Sequence, residues 1–275
     1  MNPAPEQVVV CGSFDDIRSR QVRLLEEAAK LGALKVLLWT DDSVRRLTGA
    51  PSKFPEAERL YVLQAIRFVS HVMLTDAPAD SNTLPELAGD NLQAWIVEAA
   101  QVNPARKQFC DAHGIALRTL RDEDLRGFPQ TPTSPPSSDR KKVIVTGCYD
   151  WFHSGHVRFF EEVSAYGDLY VCVGHDANVR LLKGREHPMH PQDERRYLVG
   201  AVRFVKQALI TTGHGWLDAE PEILRLKPDI YAVNEDGDQG GKRDYCEQHG
   251  IEYVVLKRVP APGLPKRTST VLRGF

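Results

Sequence analysis

The chain repeats itself once, and this duplication limits the possible folds more than any other feature of the sequence. Three blocks recur in the same order about 135 residues apart. The paired blocks are VCGSFDD (Val10–Asp16) with TGCYDWF (Thr146–Phe152), PEAERLYVLQAIRFV from Pro55 with PQDERRYLVGAVRFV from Pro191, and FCDAHGI from Phe109 with YCEQHGI from Tyr245. Chance does not readily produce three matches in one order at nearly one offset, so the sequence predicts a tandem duplication of one domain.

A segment of linker composition lies between the two copies. Residues Gly127–Arg140, GFPQTPTSPPSSDR, are rich in Pro, Ser and Thr and poor in apolar side chains. The chain has 275 residues, which is enough for two domains of ~100–200 residues each. We therefore predict a first domain over residues 1–126, a linker over 127–140 and a second domain over 141–275.

Each copy alternates short apolar runs with helical patterns, which indicates an α/β fold. In the second copy, KVIVT (Lys142–Thr146) and LYVCVG (Leu169–Gly174) are predicted strands, and His156–Tyr166 has helical spacing. Further strands are predicted at Gln207–Ile210, Ile230–Val233 and Glu252–Leu256, and further helices at Pro191–Val202, Leu217–Leu226 and Arg243–His249. This order predicts a parallel sheet with helices on both faces, whose ligands bind beyond the carboxyl ends of the strands.

Composition excludes several classes of function. Lys and Arg number 35 and Asp and Glu 37, a formal net charge of -2, which argues against a large nucleic-acid surface. No apolar run reaches the ~18–20 residues of a membrane span, and the N-terminal MNPAPEQVVVCG does not resemble a signal peptide. The five cysteines are scattered without a CxxC pair, which is typical of reduced thiols. We expect a cytoplasmic protein without a nucleic-acid partner, a membrane span or a metal site built by side chains.

The segment GCYDWFHSGH, which follows the first strand of the second copy, carries the clearest chemistry. Gly147 permits a tight turn whose backbone N–H groups can face a phosphate, and a helix is predicted to begin near Gly155. His153 and His156 are three residues apart at this helix start, so both rings can face one ligand. Two imidazoles suit a phosphoryl group in transfer, and the alternative is that they only cap the helix.

This segment resembles the G-x-[FY]-D-x-x-H-x-G-H signature of the nucleotidyltransferase superfamily, in its cytidylyltransferase-like branch. The branch includes glycerol-3-phosphate, choline-phosphate and ethanolamine-phosphate cytidylyltransferases and the adenylyltransferase half of the bacterial heptose-phosphate enzyme. RTSTVLR (Arg267–Arg273) is similar to a second family motif near the C-terminus. The resemblance covers essentially all of the second domain and implies two tandem Rossmann-like domains.

The resemblance also implies roles for individual residues. The catalytic residues would be His153, His156 and Lys183. The nucleotide-binding residues would be Gly147, Cys148, Tyr149, Asp150, Gly155, Asn234, Asp236, Arg267, Thr268, Ser269, Thr270 and Arg273. The acceptor-binding residues would be Trp151, Asp176, Arg195 and His214. Mg²⁺ would be bound mainly through the nucleotide phosphates. Lys183 and Arg195 could instead be solvated surface cations.

The implied reaction transfers a nucleoside monophosphate from a nucleoside triphosphate to a small phosphorylated or phosphonate acceptor and releases pyrophosphate. CTP is the preferred donor because the Arg-Thr and Ser-Thr pairs of Arg267–Thr270 are similar to a cytidylyltransferase motif. ATP stays open because Arg273 and the LLKG segment ending at Gly184 resemble adenylyltransferases. The alternatives are an ATP-dependent adenylyltransferase of a sugar phosphate and a non-catalytic nucleotide-binding regulator.

The first domain lacks the residues of the motif. Arg18, Arg20 and Gln21 stand where the second domain has His153, Gly155 and His156, and nothing before the linker resembles RTST. Thr48 stands at the position of Lys183, whereas Arg59 matches Arg195. We expect a degenerate, non-catalytic copy that packs on the second domain as an internal pseudo-dimer, with a homodimer of the chain left open.

Overall fold

The chain divides into two compact units, Met1–Gly127 and Phe128–Phe275. The structure is a computed structural model, and it describes residues 6–76, 81–85, 92–130, 139–268 and 272. The division falls at the start of the segment rich in Pro, Ser and Thr, of which residues 131–138 lie outside the described residues. Each unit contains one five-stranded sheet.

The first unit is an α/β unit with an entirely parallel sheet. Its strands are β1 (Gln7–Gly12), β2 (Ala33–Trp39), β3 (His71–Thr75), β4 (Leu92–Glu98) and β5 (Ala116–Leu120). Its helices are α1 (Ser19–Ala29), α2 (Asp41–Thr48), α3 (Glu56–Ala65) and α4 (Pro104–His113), with a 3₁₀ turn at Ala99–Gln101. The sheet order is β3-β2-β1-β4-β5, and its strand pairs are parallel.

The second unit has the same construction. Its strands are β6 (Lys142–Gly147), β7 (Asp168–Val173), β8 (Val205–Ile210), β9 (Ile230–Asn234) and β10 (Glu252–Leu256). Its helices are α5 (Ser154–Ser164), α6 (Asp176–Lys183), α7 (Gln192–Gly200), α8 (Glu220–Leu226) and α9 (Lys242–His249), with 3₁₀ turns at Gly215–Leu217 and Glu235–Gly237. The sheet order is β10-β9-β6-β7-β8, again parallel.

When strands are counted in chain order within each unit, both sheets run 3-2-1-4-5. This shared order agrees with the predicted duplication and confirms the predicted α/β class with parallel sheets flanked by helices. Val143, Ile144 and Val145 of β6 are all fully buried. Because successive side chains point to opposite faces of a strand, both faces of β6 are covered, as a parallel sheet requires.

The strand order also determines where a ligand can bind. β6 lies between β7 and β9, so the connections that follow β6 and β9 leave on opposite sides of the sheet. A crevice forms at this switch point, beyond the carboxyl ends of the strands. Among the helices of the described residues, none combines the length and the apolar character needed to cross a bilayer.

Candidate functional site

A cavity of about 230 Å³ lies at the carboxyl ends of β6 and β9 in the second unit. Three segments that are far apart in sequence form its wall: the β6–α5 loop, the end of α6 with the loop after it, and the segment after β9. The predicted site residues that line it are Gly147, Cys148, Tyr149, Asp150, Trp151, Gly155, His156, Lys183, Asn234 and Asp236. The fold therefore brings most of the predicted residues to one cavity.

His153 does not line the cavity itself, but it caps α5 and stacks on His156, which does. It is the N-cap of α5, and its Nδ1 accepts from the backbone N–H of Gly155 at 3.1 Å. Its ring stacks on that of His156, with centroids 3.9 Å apart. His153 Nε2 and His156 Nδ1 are buried and have no hydrogen-bond partner among the described residues. A buried polar atom without a hydrogen-bond partner destabilises the folded state, and a ligand that binds here would supply the missing partner.

Both histidines are neutral at neutral pH. Burial lowers the pKa of His153 to about 3, and the charges on Arg258 and Arg267 lower it further. Burial also lowers the pKa of His156 well below its usual value, followed by the effects of His153, Arg258 and Lys183. Because Nδ1 of neutral His153 accepts a hydrogen bond, its proton lies on Nε2. The unsatisfied atom is therefore a donor, which suits an anionic oxygen.

Gly155 is required by close approach. A Cβ at this position would lie 2.9 Å from Cε1 of His153 and 3.4 Å from the carbonyl oxygen of Arg267. Arg267, the first residue of the second predicted motif, thus lies next to the N-terminus of α5. Ser269, Thr270 and Arg273 of that motif lie outside the described residues.

The predicted turn at Gly147 is made by another residue. Gly147 ends β6, and Tyr149 takes the left-handed conformation instead, with φ 53°. A Cβ on Gly147 would lie 2.7 Å from Cζ of Tyr149. The glycine is needed because the Tyr149 ring lies over it, and the expectation that the turn at Gly147 presents N–H groups to a phosphate is corrected accordingly.

Arg195 and Asp176 do not line the cavity. The guanidinium of Arg195 is fully buried and donates to the carbonyls of Cys148 at 2.6 Å and Gly174 at 2.8 Å. It also donates to the carbonyl of His190 at 2.9 Å and to the carboxylate of Asp176 at 2.7 Å. Because Arg195 is fully buried and donates to four acceptors, its predicted contact with the acceptor is corrected to an ion pair inside the unit, and it is not a surface cation either. The carboxylate of Asp176 is partly exposed, and its acceptor contact stays a prediction.

Of the other two predicted acceptor residues, one lines the cavity and one does not. Trp151 is buried in the cavity wall. His214 is exposed in the loop after β8, where its ring contacts His175 at 5.1 Å, and it is not part of the cavity wall. Lys183 is exposed at the end of α6 and lines the cavity.

Several residues in the cavity wall were missed by the sequence analysis. Arg258, two residues after β10, forms an ion pair with Asp236 and donates to the carbonyl of Arg267 at 3.2 Å. Lys242 begins α9, and its Nζ donates to the carbonyl of Gly237 at 2.7 Å. The signal that could have found both is their place just beyond the last two strands. Phe159, His187 and Met189 also line the cavity.

Among the described residues, no three His, Cys, Asp or Glu side chains cluster as metal ligands. The two carboxylates of the cavity wall are both engaged. Asp150 accepts from the backbone N–H groups of Met189 and His190, and Asp236 pairs with Arg258.

Comparison with known proteins agrees with this geometry. The model of the family described as Cytidylyltransferase-like matches residues 144–258. The FAD synthase of Thermococcus kodakarensis is 36% identical over 126 residues, which are 44% of this chain and 82% of that protein. The FAD synthase of Pyrococcus horikoshii is 41% identical over 104 residues, 37% of this chain and 68% of that protein. The bifunctional protein HldE of Campylobacter concisus is 34% identical over 151 residues, 53% of this chain and 31% of that protein. Through its second unit, the chain belongs to the cytidylyltransferase-like family of nucleotidyltransferases.

Proposed function

We propose that the second unit transfers the AMP group of ATP to the phosphate of a small phosphorylated acceptor and releases pyrophosphate. The observation that carries this proposal is the stacked, neutral pair His153 and His156, in which one buried nitrogen of each ring has no hydrogen-bond partner among the described residues. Lys183 and Arg258 add positive charge to the same cavity wall. Together these groups offer hydrogen-bond donors and positive charge to phosphates.

The chemistry needs positioning and charge stabilisation more than an activated nucleophile. An oxygen of the acceptor phosphate attacks the α-phosphorus in line, a new P–O bond forms, and the bond to the β-phosphate breaks with pyrophosphate as the leaving group. A phosphate oxygen is already nucleophilic, so no Ser or Cys is needed. His153 donates from Nε2–H to a non-bridging oxygen as negative charge grows there, and Lys183 neutralises charge between donor and acceptor.

The nucleotide is placed on the β9 side of the cavity in this proposal. Oδ1 of Asn234 is buried without a partner among the described residues, so it accepts from the nucleoside part. Arg267, Thr268 and the remainder of their motif, Ser269, Thr270 and Arg273, bind the β- and γ-phosphates. Mg²⁺ enters as part of the MgATP substrate, because the carboxylates of the wall are already engaged.

The relatives favour ATP over CTP, the donor that the sequence motif favoured. FAD contains an AMP group, so a nucleotidyl transfer that makes FAD takes its donor from ATP. The chain covers 82% and 68% of the length of the two FAD synthases. A flavin mononucleotide and a sugar phosphate are therefore the first acceptors to test.

The test is a pyrophosphate-release screen with ATP, CTP, GTP and UTP in the presence of Mg²⁺. The acceptors are FMN, glucose 1-phosphate, glycerol 3-phosphate and phosphocholine. We expect release with ATP and one class of acceptor, and mass spectrometry should show the adenylylated product. Release with CTP alone would overturn the choice of donor. If no nucleotide is turned over and none stabilises the protein against heat, the proposed function is wrong.

A further inference from the structure

A histidine that the sequence analysis did not assign to the site lies in the cavity wall. His187 is in the loop after α6, and its ring is 7% exposed. Its Nδ1 lies 3.1 Å from Oδ2 of Asp150. Lys183 lines the same cavity, and both residues belong to the segment that follows β7.

In the first unit, the loop that corresponds to the one after α6 binds its aspartate without a histidine. Asp150 accepts from the backbone N–H groups of Met189 at 2.7 Å and His190 at 3.0 Å. Its counterpart Asp15 accepts from the corresponding N–H groups of Lys53 and Phe54 at 2.7 and 2.9 Å.

The position two residues before Lys53 is occupied by Pro51, which has no side-chain donor, whereas His187 stands two residues before Met189. The contact of the histidine with Asp150 is therefore an addition of the unit that carries the HxGH motif.

The carboxylate determines which ring nitrogen of His187 carries a proton. Burial acts to raise the pKa of Asp150, but hydrogen bonds from Met189, His190 and His187 and the charge of Arg195 outweigh it, so the pKa lies below its usual value. An ionised carboxylate only accepts, so Nδ1–H of His187 must donate to it. The contact with Asp150 thereby holds the ring in one orientation through Nδ1, and Nε2 is at the other end of the ring.

We propose that His187 binds the phosphate of the acceptor through Nε2, with Asp150 as the residue that positions its ring. This inference rests on the proposed transfer reaction and names the group that holds its second substrate. Either protonation state of Nε2 forms the bond, because an imidazolium donates to a phosphate oxygen and a neutral ring accepts from a protonated one. Lys183, on the same side of the cavity, supplies charge to the same group.

Substitution of His187 by asparagine or glutamine tests the two ring nitrogens one at a time. In His187→Asn, the amide nitrogen replaces Nδ1 and keeps the contact with Asp150, but nothing replaces Nε2. In His187→Gln, the amide nitrogen replaces Nε2. His190→Asn is the matched control, since its side chain is in the same loop but is not part of the cavity wall.

The experiment is calorimetric titration of inorganic phosphate into the full chain in the presence of Mg²⁺ and saturating α,β-methylene-ATP. We expect the Kd for phosphate to rise at least about tenfold in His187→Asn, as for loss of a charge-assisted hydrogen bond. The rise should be smaller in His187→Gln and absent in His190→Asn, and the Kd for the ATP analogue should stay within twofold of wild type throughout.

An unchanged Kd for phosphate in His187→Asn, an equal rise in His190→Asn, or no phosphate binding by the wild type would overturn the inference. Failure of the analogue to bind the wild type would instead count against the proposed function. The phosphate titrations of the three variants would then still decide the role of His187.

Discussion

The two units share a buried arginine with the same set of partners, although only the second unit carries the HxGH motif. Arg59 and Arg195 are 3% and 0% exposed. Each donates to three backbone carbonyls and one carboxylate, which belong to Phe54, Ser13, Trp39 and Asp41 in the first unit and to His190, Cys148, Gly174 and Asp176 in the second. A contact that recurs where the motif is absent serves the fold.

Another contact that recurs in both units is made by the last helix of each. Arg106 donates to the carbonyl of Gln101 at 2.6 Å, and Lys242 donates to that of Gly237 at 2.7 Å. In both units the carbonyl ends the 3₁₀ turn that follows the fourth strand. Lys242 therefore lines the cavity as a residue of the fold, and a role toward substrate is not needed to explain it.

The units differ where the phosphates are proposed to bind. Arg20 stands at the position of Gly155, and its guanidinium donates to Glu98 at 2.6 Å and Asp122 at 2.6 Å. Glu98 ends the fourth strand, as Asn234 does, and Asp122 follows the last strand by two residues, as Arg258 does. At these equivalent positions the first unit thus has an arginine paired with two carboxylates, where the second unit has a glycine, an asparagine and an arginine. We infer that this unit binds no triphosphate.

The largest effect on activity is expected when the arginine of the first unit is placed at the equivalent position of the second unit. In Gly155→Arg, the side chain must occupy space now taken by the His153 ring and the Arg267 carbonyl. We expect loss of detectable ATP binding and a fall in kcat/KM of more than about 10³-fold. Calorimetry and turnover measure these, with a thermal melt to verify folding. A folded Gly155→Arg variant that binds ATP normally would contradict the placement of the phosphates.

Removal of one imidazole should have the next largest effect. In His156→Ala, we expect kcat to fall about 10²–10³-fold, as for loss of one preorganised donor. The control is His249→Ala. His249 Nδ1 contacts the carbonyl of Tyr245, and His113 makes the same contact with Phe109 in the first unit. Its removal should leave kcat unchanged. Near wild-type turnover in His156→Ala would remove the proposed mechanism.

The sequence was sufficient for the elements and for the residues that are contiguous in it. Apolar runs such as KVIVT predict strands because a parallel sheet buries both faces, and β6 and β10 agree with prediction to within one residue. His153 and His156 could be placed together because a helix start brings residues three apart to one point.

Two kinds of residue could not be assigned from the sequence. Some reach the cavity from distant segments, and others use their hydrogen-bond donors inside the fold. Arg258 and His187 enter the wall only through the strand order. Arg195 was taken for a ligand because a single sequence does not distinguish a solvated guanidinium from one that donates to four acceptors. Its repeat partner Arg59, in a copy without the motif, was the signal that could have separated these alternatives.

Substitution of the buried arginine in each unit tests whether it stabilises the fold or binds the acceptor. We expect Arg195→Met and Arg59→Met each to lower the free energy of unfolding by about 3–5 kcal/mol, because three backbone carbonyls lose a hydrogen-bond donor and a partly exposed carboxylate loses its ion pair. Urea denaturation measures both. The KM for the acceptor should be unchanged in the folded fraction of Arg195→Met. A stable Arg195→Met protein with a raised acceptor KM would restore the acceptor contact predicted from sequence.

The neutral histidines of the second unit predict that its stability depends on pH. The folded-state pKa of His153 is about 3, below the ordinary value of 6.5, so the unfolded chain binds more protons below pH 6.5. The free energy of unfolding should therefore fall as the pH drops from about 6.5, by up to about 1.4 kcal/mol per pH unit for each such histidine. Replacing His153 and His156 by Gln should flatten the profile between pH 6.5 and 5. An unchanged slope would show that both rings are protonated in the folded protein.

The smallest effect is expected from the reciprocal change in the first unit. Arg20→Gly removes two ion pairs of an arginine whose side chain is 47% exposed, so the free energy of unfolding should change by less than about 1 kcal/mol. The variant should also gain no nucleotide site, because Glu98 and Asp122 would then face any phosphate with like charge, and Thr48 stands in place of Lys183. Calorimetric titration with ATP should give one site per chain before and after the change. A second site in Arg20→Gly would mean that this arginine alone closes the first unit to nucleotides.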